Sequence, residues 1–163
     1  MVPVGTSSQA PILAVGAVLF DGAGRVLLVR RGRAPAAGTW SLPGGRVHEG
    51  EALDAAIVRE VLEETAIEAR VACALCVVDT TAEATRFAIH EHLLEPIDPA
   101  AVPQPGDDAA EARWVSPSEM AGLGVTAAVL DVIAGARIAA AGKLPSFPTG
   151  VTVDLLHTKP KVG

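Results

Sequence analysis

Between Glu51 and Thr65 the apolar residues change from the spacing of strands to that of a helix, and this switch limits the fold more than any other feature. Leu53, Ile57 and Val61, with Leu62 or Glu64 after them, recur at three- and four-residue steps, and Ala52, Ala55 and Ala56 favour helix. On both sides the chain reads as strand. Residues 12–20, 25–31, 69–79 and 85–94 are rich in Val, Ile and Leu. Asp21-Gly22-Ala23-Gly24 is a turn signal, so the first two runs are expected to pair as a hairpin. Thr39 to Leu42 is a short segment leading to Pro43-Gly44-Gly45, Ala112 to Val115 reads as a short strand, and a helical turn follows Ser116-Pro117. A longer helix is expected from Thr126, as N-cap, to about Ala141, with Gly142 as its stop. Strands, a central helix, more strands and a terminal helix predict an α/β sandwich with a mixed sheet.

The 163 residues suit one domain, with a core over about 12–141 and loosely attached termini at 1–10 and 143–163. The tail is expected to add an edge strand at 151–156 or to stay disordered. Thirteen basic against nineteen acidic residues give a net charge of −6, the wrong sign for a protein that grips duplex nucleic acid through many phosphates. The longest apolar run, Pro11 to Phe20, is too short to span a bilayer, and no Lys or Arg precedes it. A soluble, cytoplasmic protein is the expectation, and a homodimer is left open. Cys73 and Cys76 lie in a strand-like run, and two cysteines make neither a disulfide scaffold nor a complete zinc site. They read as core residues.

The chemistry concentrates in residues 45–67, which hold six of the nineteen acids and two bases. Glu60, Glu63 and Glu64 stand three and four apart, so a helix turns all three toward one side. Carboxylates about 5–6 Å apart repel by roughly 3 kcal/mol per pair at an effective dielectric near 20. Arg59 is adjacent but cannot serve all three. A hard divalent cation can, because carboxylate and carbonyl oxygens suit Mg²⁺ or Mn²⁺.

The full order is Gly45, five residues, Glu51, seven residues, Arg59-Glu60, Val61, one residue, Glu63-Glu64, one residue, Ala66, Ile67. This resembles the Nudix box, the signature of the Nudix hydrolase superfamily, with six polar and two apolar positions in register. One position departs, since Ala66 stands where the box has Gly. That Gly would cap the helix with positive φ, and Ala there costs on the order of 1 kcal/mol if the backbone keeps that shape. The alternative is a helix that runs a turn further. Gly16-Ala17-Val18, Leu27 to Arg31, Trp40-Ser41-Leu42-Pro43-Gly44-Gly45 and Ala112-Arg113-Trp114-Val115 extend the likeness over roughly 12–140. The resemblance implies the Nudix α/β/α sandwich and a Mg²⁺- or Mn²⁺-dependent hydrolysis of a diphosphate attached to another moiety.

By match to the box, Glu60 and Glu64 are the expected metal ligands, with Glu63 completing the site and the Gly45 carbonyl a further ligand. Glu51 and Arg59 are expected to pair and to fix the loop against the helix. The general base comes from the box or from a later loop, where Asp107, Asp108 and Glu111 are candidates. Arg30, Arg31, Arg33, Trp40 and Gly44 are candidates for substrate binding. His90 and His92 share a strand face but lack a third ligand and read as structural, and Trp114 reads as core. Local wording is closest to small bacterial ADP-ribose pyrophosphatase-like members, so the expected partner is a nucleoside diphosphate sugar. A nucleoside triphosphate, oxidised or not, is the alternative, followed by a nucleotide-sensing domain without catalysis.

Overall fold

The computed structural model describes residues 9–33, 36–148 and the backbone of 151–152. Its elements run β1 (Ile12–Leu19), β2 (Val26–Arg31), β3 (Trp40–Ser41), β4 (Gly44–Arg46), α1 (Leu53–Thr65), β5 (Ala69–Ala82), β6 (Thr85–Pro96), β7 (Ala109–Val115), α2 (Pro117–Met120), α3 (Ala127–Ala140) and β8 (Val151–Thr152). One sheet has the order β4-β1-β6-β5-β8, and a second has the order β3-β2-β7. The first is mixed, because β1 and β6 run parallel while its other pairs are antiparallel.

The first two strands do not pair as a hairpin. The chain does reverse at Asp21, whose carboxylate accepts from Ala23 N–H and Arg25 N–H and holds the Arg25 side chain at 2.7 Å. Beyond it only a single bridge, Phe20 to Val26, joins the two strands. β1 is buried on both faces from Ala14 to Leu19, and both of its edges are taken, by β4 and β6. A strand occupied in that way belongs in the middle of a sheet, and β2 is left to build the other one.

Alternate residues of β1 serve two cores. Val15, Ala17 and Leu19 pack with Ala56, Ile57 and Val61 of α1. Val18 packs on the other side with Met120 of α2 and with Val132, Ile133 and Ala136 of α3. Helices on both faces make this the α/β/α sandwich read from the sequence. Cys76 is buried in the second core and Cys73 packs against it, both as free thiols, and burial pushes Cys76 up to about 12. Thr126 caps α3 by accepting from Val129 N–H, and Gly142 follows with φ +75°. Val151–Thr152 adds an edge strand to β5, while residues 1–8 and 153–163 lie outside the described residues. No described helix is long and apolar enough to cross a membrane.

At the end of α1, Ala66 takes φ 60° and ψ 15°, and its N–H returns to the Leu62 carbonyl. The helix stops there, so the left-handed cap survives without its glycine. The chain after β6 then docks on this same end. Glu68, Thr65 and Glu64 carbonyls accept from the N–H groups of Ile97, Gln104 and Gly106. A Cβ on Gly106 would collide with the Glu63 carbonyl, so only glycine permits the approach.

Candidate active site

The box carboxylates are sorted by one guanidinium. Arg59 makes two parallel bonds to Glu51, Nε to Oε2 and Nη2 to Oε1, both at 2.8 Å. Its Nη1 reaches Glu60 at 2.9 Å and Glu63 at 3.2 Å, and Nη2 donates to the Arg46 carbonyl at 3.3 Å. Arg59 thus ties the 46–51 loop to α1, as expected for a positioning pair. The pairing holds the Glu51 carboxyl down to about 2 and pushes Arg59 up. Of Glu60, Glu63 and Glu64 it serves two, and Glu64 is left over.

Glu64 meets a different environment. Burial and the charge of Glu60 raise its carboxyl to about 7, opposed by the Gly44 N–H, which donates to Oε2 at 3.4 Å, and by Arg31. β4 supplies this contact from its backbone. On the neighbouring residue, a Cβ at Gly45 would sit 2.5 Å from the Glu60 carboxyl. Two glutamates one helical turn apart therefore press against two consecutive glycines.

The second rim comes from β2, β7 and the loop between β6 and β7. Arg30 pairs with Glu111 at 2.7 Å, and its buried Nε has no partner among the described residues. Arg33 lies 3.4 Å from Asp108, with both side chains exposed. Arg31 and Asp107 are also exposed. Trp40 is half-buried against the α3-side core with the Arg113 guanidinium 4.9 Å from its ring centre. Trp114 packs against the α1-side core and donates to the Ala101 carbonyl at 3.0 Å. His92 is buried on the α1 face, donating from Nδ1 to the His90 carbonyl, with Nε2 3.7 Å from Asp54. Burial lowers its pKa, which keeps the ring neutral.

Sequence reasoning passed over Glu91. Its side chain is buried on the α3 side of the sheet, where its Oε2 has no partner among the described residues. Nothing local marks it, because it stands in a run of three polar residues, His90-Glu91-His92, in β6.

The family model for the NUDIX domain matches residues 10–132. The chain belongs to the Nudix family. It is 33% identical over 104 residues to a putative 8-oxo-dGTP diphosphatase of Bacillus subtilis, a match covering 63% of this chain and 65% of that protein. Among solved structures, a NUDIX hydrolase from Nitrosomonas europaea superposes with a TM-score of 0.68 at 22% identity, over 86% of this chain and 77% of that one. A MutT protein from Methanosarcina mazei gives 0.66 at 26% identity, over 83% of this chain and 98% of that one. The chain spans from 22% to 65% of the length of the curated relatives it matches.

A Nudix fold implies a divalent cation, and the donor set fits one in part. Glu60 and Glu64 offer hard oxygen at the glycine backbone of β4, and no protein cation bonds Glu64 among the described residues. No three His, Cys, Asp or Glu side chains there converge as a ready cage, however. Glu63, expected to complete the site, shares the Arg59 Nη1 with Glu60, at 3.2 Å against 2.9 Å.

Proposed function

We propose that this Nudix chain is a Mg²⁺- or Mn²⁺-dependent hydrolase that cleaves the diphosphate of a nucleoside diphosphate linked to another moiety. One observation carries the reading. Glu60 and Glu64 press on adjacent glycines of β4, and only the first is neutralised by a protein cation. Glu60, Glu64 and the Gly45 carbonyl would hold the metal, with Glu63 joining them. When bound, the metal neutralises phosphoryl oxygens and lowers the pKa of bound water.

Other residues do the remaining work. Arg59 and Glu51 keep the loop and α1 in register, so that the carboxylates do not drift. Arg31 and Arg33, exposed beside Asp108, meet the charge of the departing phosphate. Asp108, with only the exposed Arg33 at 3.4 Å, is a freer proton acceptor than Glu111, which Arg30 holds at 2.7 Å. The likeness of the approach to the box favours a nucleotide sugar such as an ADP-ribose-like compound. The Bacillus relative's name favours a nucleoside triphosphate instead.

A phosphate-release screen over both classes, with and without Mg²⁺, tests the proposal. Activity is expected to vanish with a chelator and to return with added metal. Glu64→Gln keeps the shape and removes a ligand charge, so kcat should fall at least about 10²-fold with the melting temperature retained. Near-normal turnover in Glu64→Gln would remove Glu64 from the site.

A further inference from the structure

We infer that Glu91 reads the base of the nucleotide: its carboxyl ends a glycine-floored slot that begins at the carboxylate cluster and runs across β4 and β1. The inference rests on the proposed cleavage at Glu60 and Glu64, because it assigns the far end of that substrate.

The slot follows from strand register. Gly44 pairs with Gly16, Gly16 with Glu91, and Glu91 with Cys76. Residues paired directly across strands share a face of the sheet. On this face β4 and β1 carry no side chain at Gly44 and Gly16, and the Glu91 carboxyl lies over Gly16, in line with Gly44. The rows beside it are Val18–Leu93 and Ala14–Ile89, which are apolar. A flat base has apolar faces and suits such walls. The neighbouring pair, Val15 and Gly45, belongs to the opposite face, where Glu60 fills the space at Gly45.

The length also fits. Strands lie about 4.8 Å apart, so a carboxyl seated over Gly16 is about 5 Å from β4. Gly44 is the residue whose N–H donates to Glu64. A diphosphate held at Glu64 therefore puts its nucleoside over Gly44 and the edge of its base against the Glu91 carboxyl.

Glu91 is dressed for an absent partner. It is 6% exposed, its carboxyl lies where a Cβ of Gly16 would be, and Oε2 makes no hydrogen bond among the described residues. A buried polar group without a partner costs stability unless something else satisfies it. Burial alone raises the carboxyl to about 8. As a neutral acid it offers one donor beside one acceptor, which matches a base edge carrying N–H next to a carbonyl or ring nitrogen.

The test compares wild type with Glu91→Leu and Glu91→Gln, using Mg²⁺ and both triphosphates and diphosphate sugars of the four bases. For the preferred base Glu91→Leu should raise KM at least tenfold with kcat changed less than threefold, and Glu91→Gln should alter the order of base preference. Inhibition by base-free ribose 5-diphosphate should stay the same. Unchanged base preference in both variants, or an equal loss of affinity for the base-free compound, would overturn the inference. Melting curves confirm that each variant folds, and Glu91→Gln serves if Glu91→Leu does not. If wild type cleaves no diphosphate, the functional reading fails by itself. Metal-free calorimetry with nucleoside monophosphates then judges the slot, where base-dependent binding lost in the variants supports it and equal binding overturns it.

Discussion

Two sockets in this sheet are built from the same parts, and only one of the two carboxyls has a cation beside it. On the α1 face the carboxyl of Glu60 fills the space that Gly45 leaves open, and on the α3 face that of Glu91 does so at Gly16. Glu60 has Arg59 at 2.9 Å, while Oε2 of Glu91 has no partner among the described residues. A glycine opposite a glutamate thus makes room for a carboxyl without deciding its charge. The difference is whether a guanidinium reaches it. The paired socket lies at the edge strand, within reach of the 46–51 loop, and the bare one lies inside the sheet.

Gly45→Ala should break the comparison most sharply. Its Cβ would push the Glu60 carboxyl off β4, and a displacement of about 1 Å at such a site costs on the order of 10²-fold in rate. Steady-state kcat is the measurement, and a loss below tenfold would mean that Glu60 works equally well elsewhere.

A smaller effect reads the bare socket by pH. The folded-state pKa of Glu91, about 8, lies above its ordinary value of 4.5, so the folded chain holds a proton that the unfolded chain releases. The stability linked to this group is full below about 4.5 and is lost as pH rises through about 8. The melting temperature of Glu91→Gln minus that of wild type should therefore grow across that window. Glu51, held down to about 2 by Arg59, behaves oppositely, since its contribution is present above 4.5 and is lost as pH falls toward 2. A flat difference for Glu91→Gln would mean that its carboxyl ionises normally.

The smallest expected effect is at Ala66, a residue with a Cβ where the backbone favours none. Ala66→Gly should stabilise the fold by about 0.5–1 kcal/mol, read as a higher denaturant midpoint at unchanged slope. A lower midpoint would show that the entropy Gly adds to the unfolded chain outweighs the relieved strain.

What could be read from residues alone follows the range of the interactions. α1, its carboxylates and the Glu51–Arg59 pair were legible because helix period and ion-pair spacing are local. The turn at Asp21 was legible for the same reason, yet a turn says that the chain reverses and not which sheet takes each strand. The partners of β1 lie at Gly44 to Arg46 and Phe87 to Leu94, far along the chain. Spacing puts Glu60 and Glu63 on a shared side, but that one Arg59 nitrogen holds both of them is a matter of side-chain geometry that spacing does not show. Glu91 escaped notice since its burial depends on Gly16, 75 positions away.

The docking of the chain after β6 onto the end of α1 also bears on how this protein tolerates change in length. Ile97 is pinned to Glu68, Gln104 to Thr65 and Gly106 to Glu64, and Trp114 holds the Ala101 carbonyl. What reads as one long proline-rich connection is thus divided into short spans, each with little closure entropy of its own. Residues could be inserted between Asp98 and Ala100, after the Ile97 clasp and ahead of the other three, at the expense of the Asp98 turn but without passing the added slack to Asp107 and Asp108. The same insertion after Gly106 would shift both carboxylates relative to Glu64. The connection has one stretch open to variation and another that is metrically fixed, and the boundary between them is set by the last carbonyls of a helix.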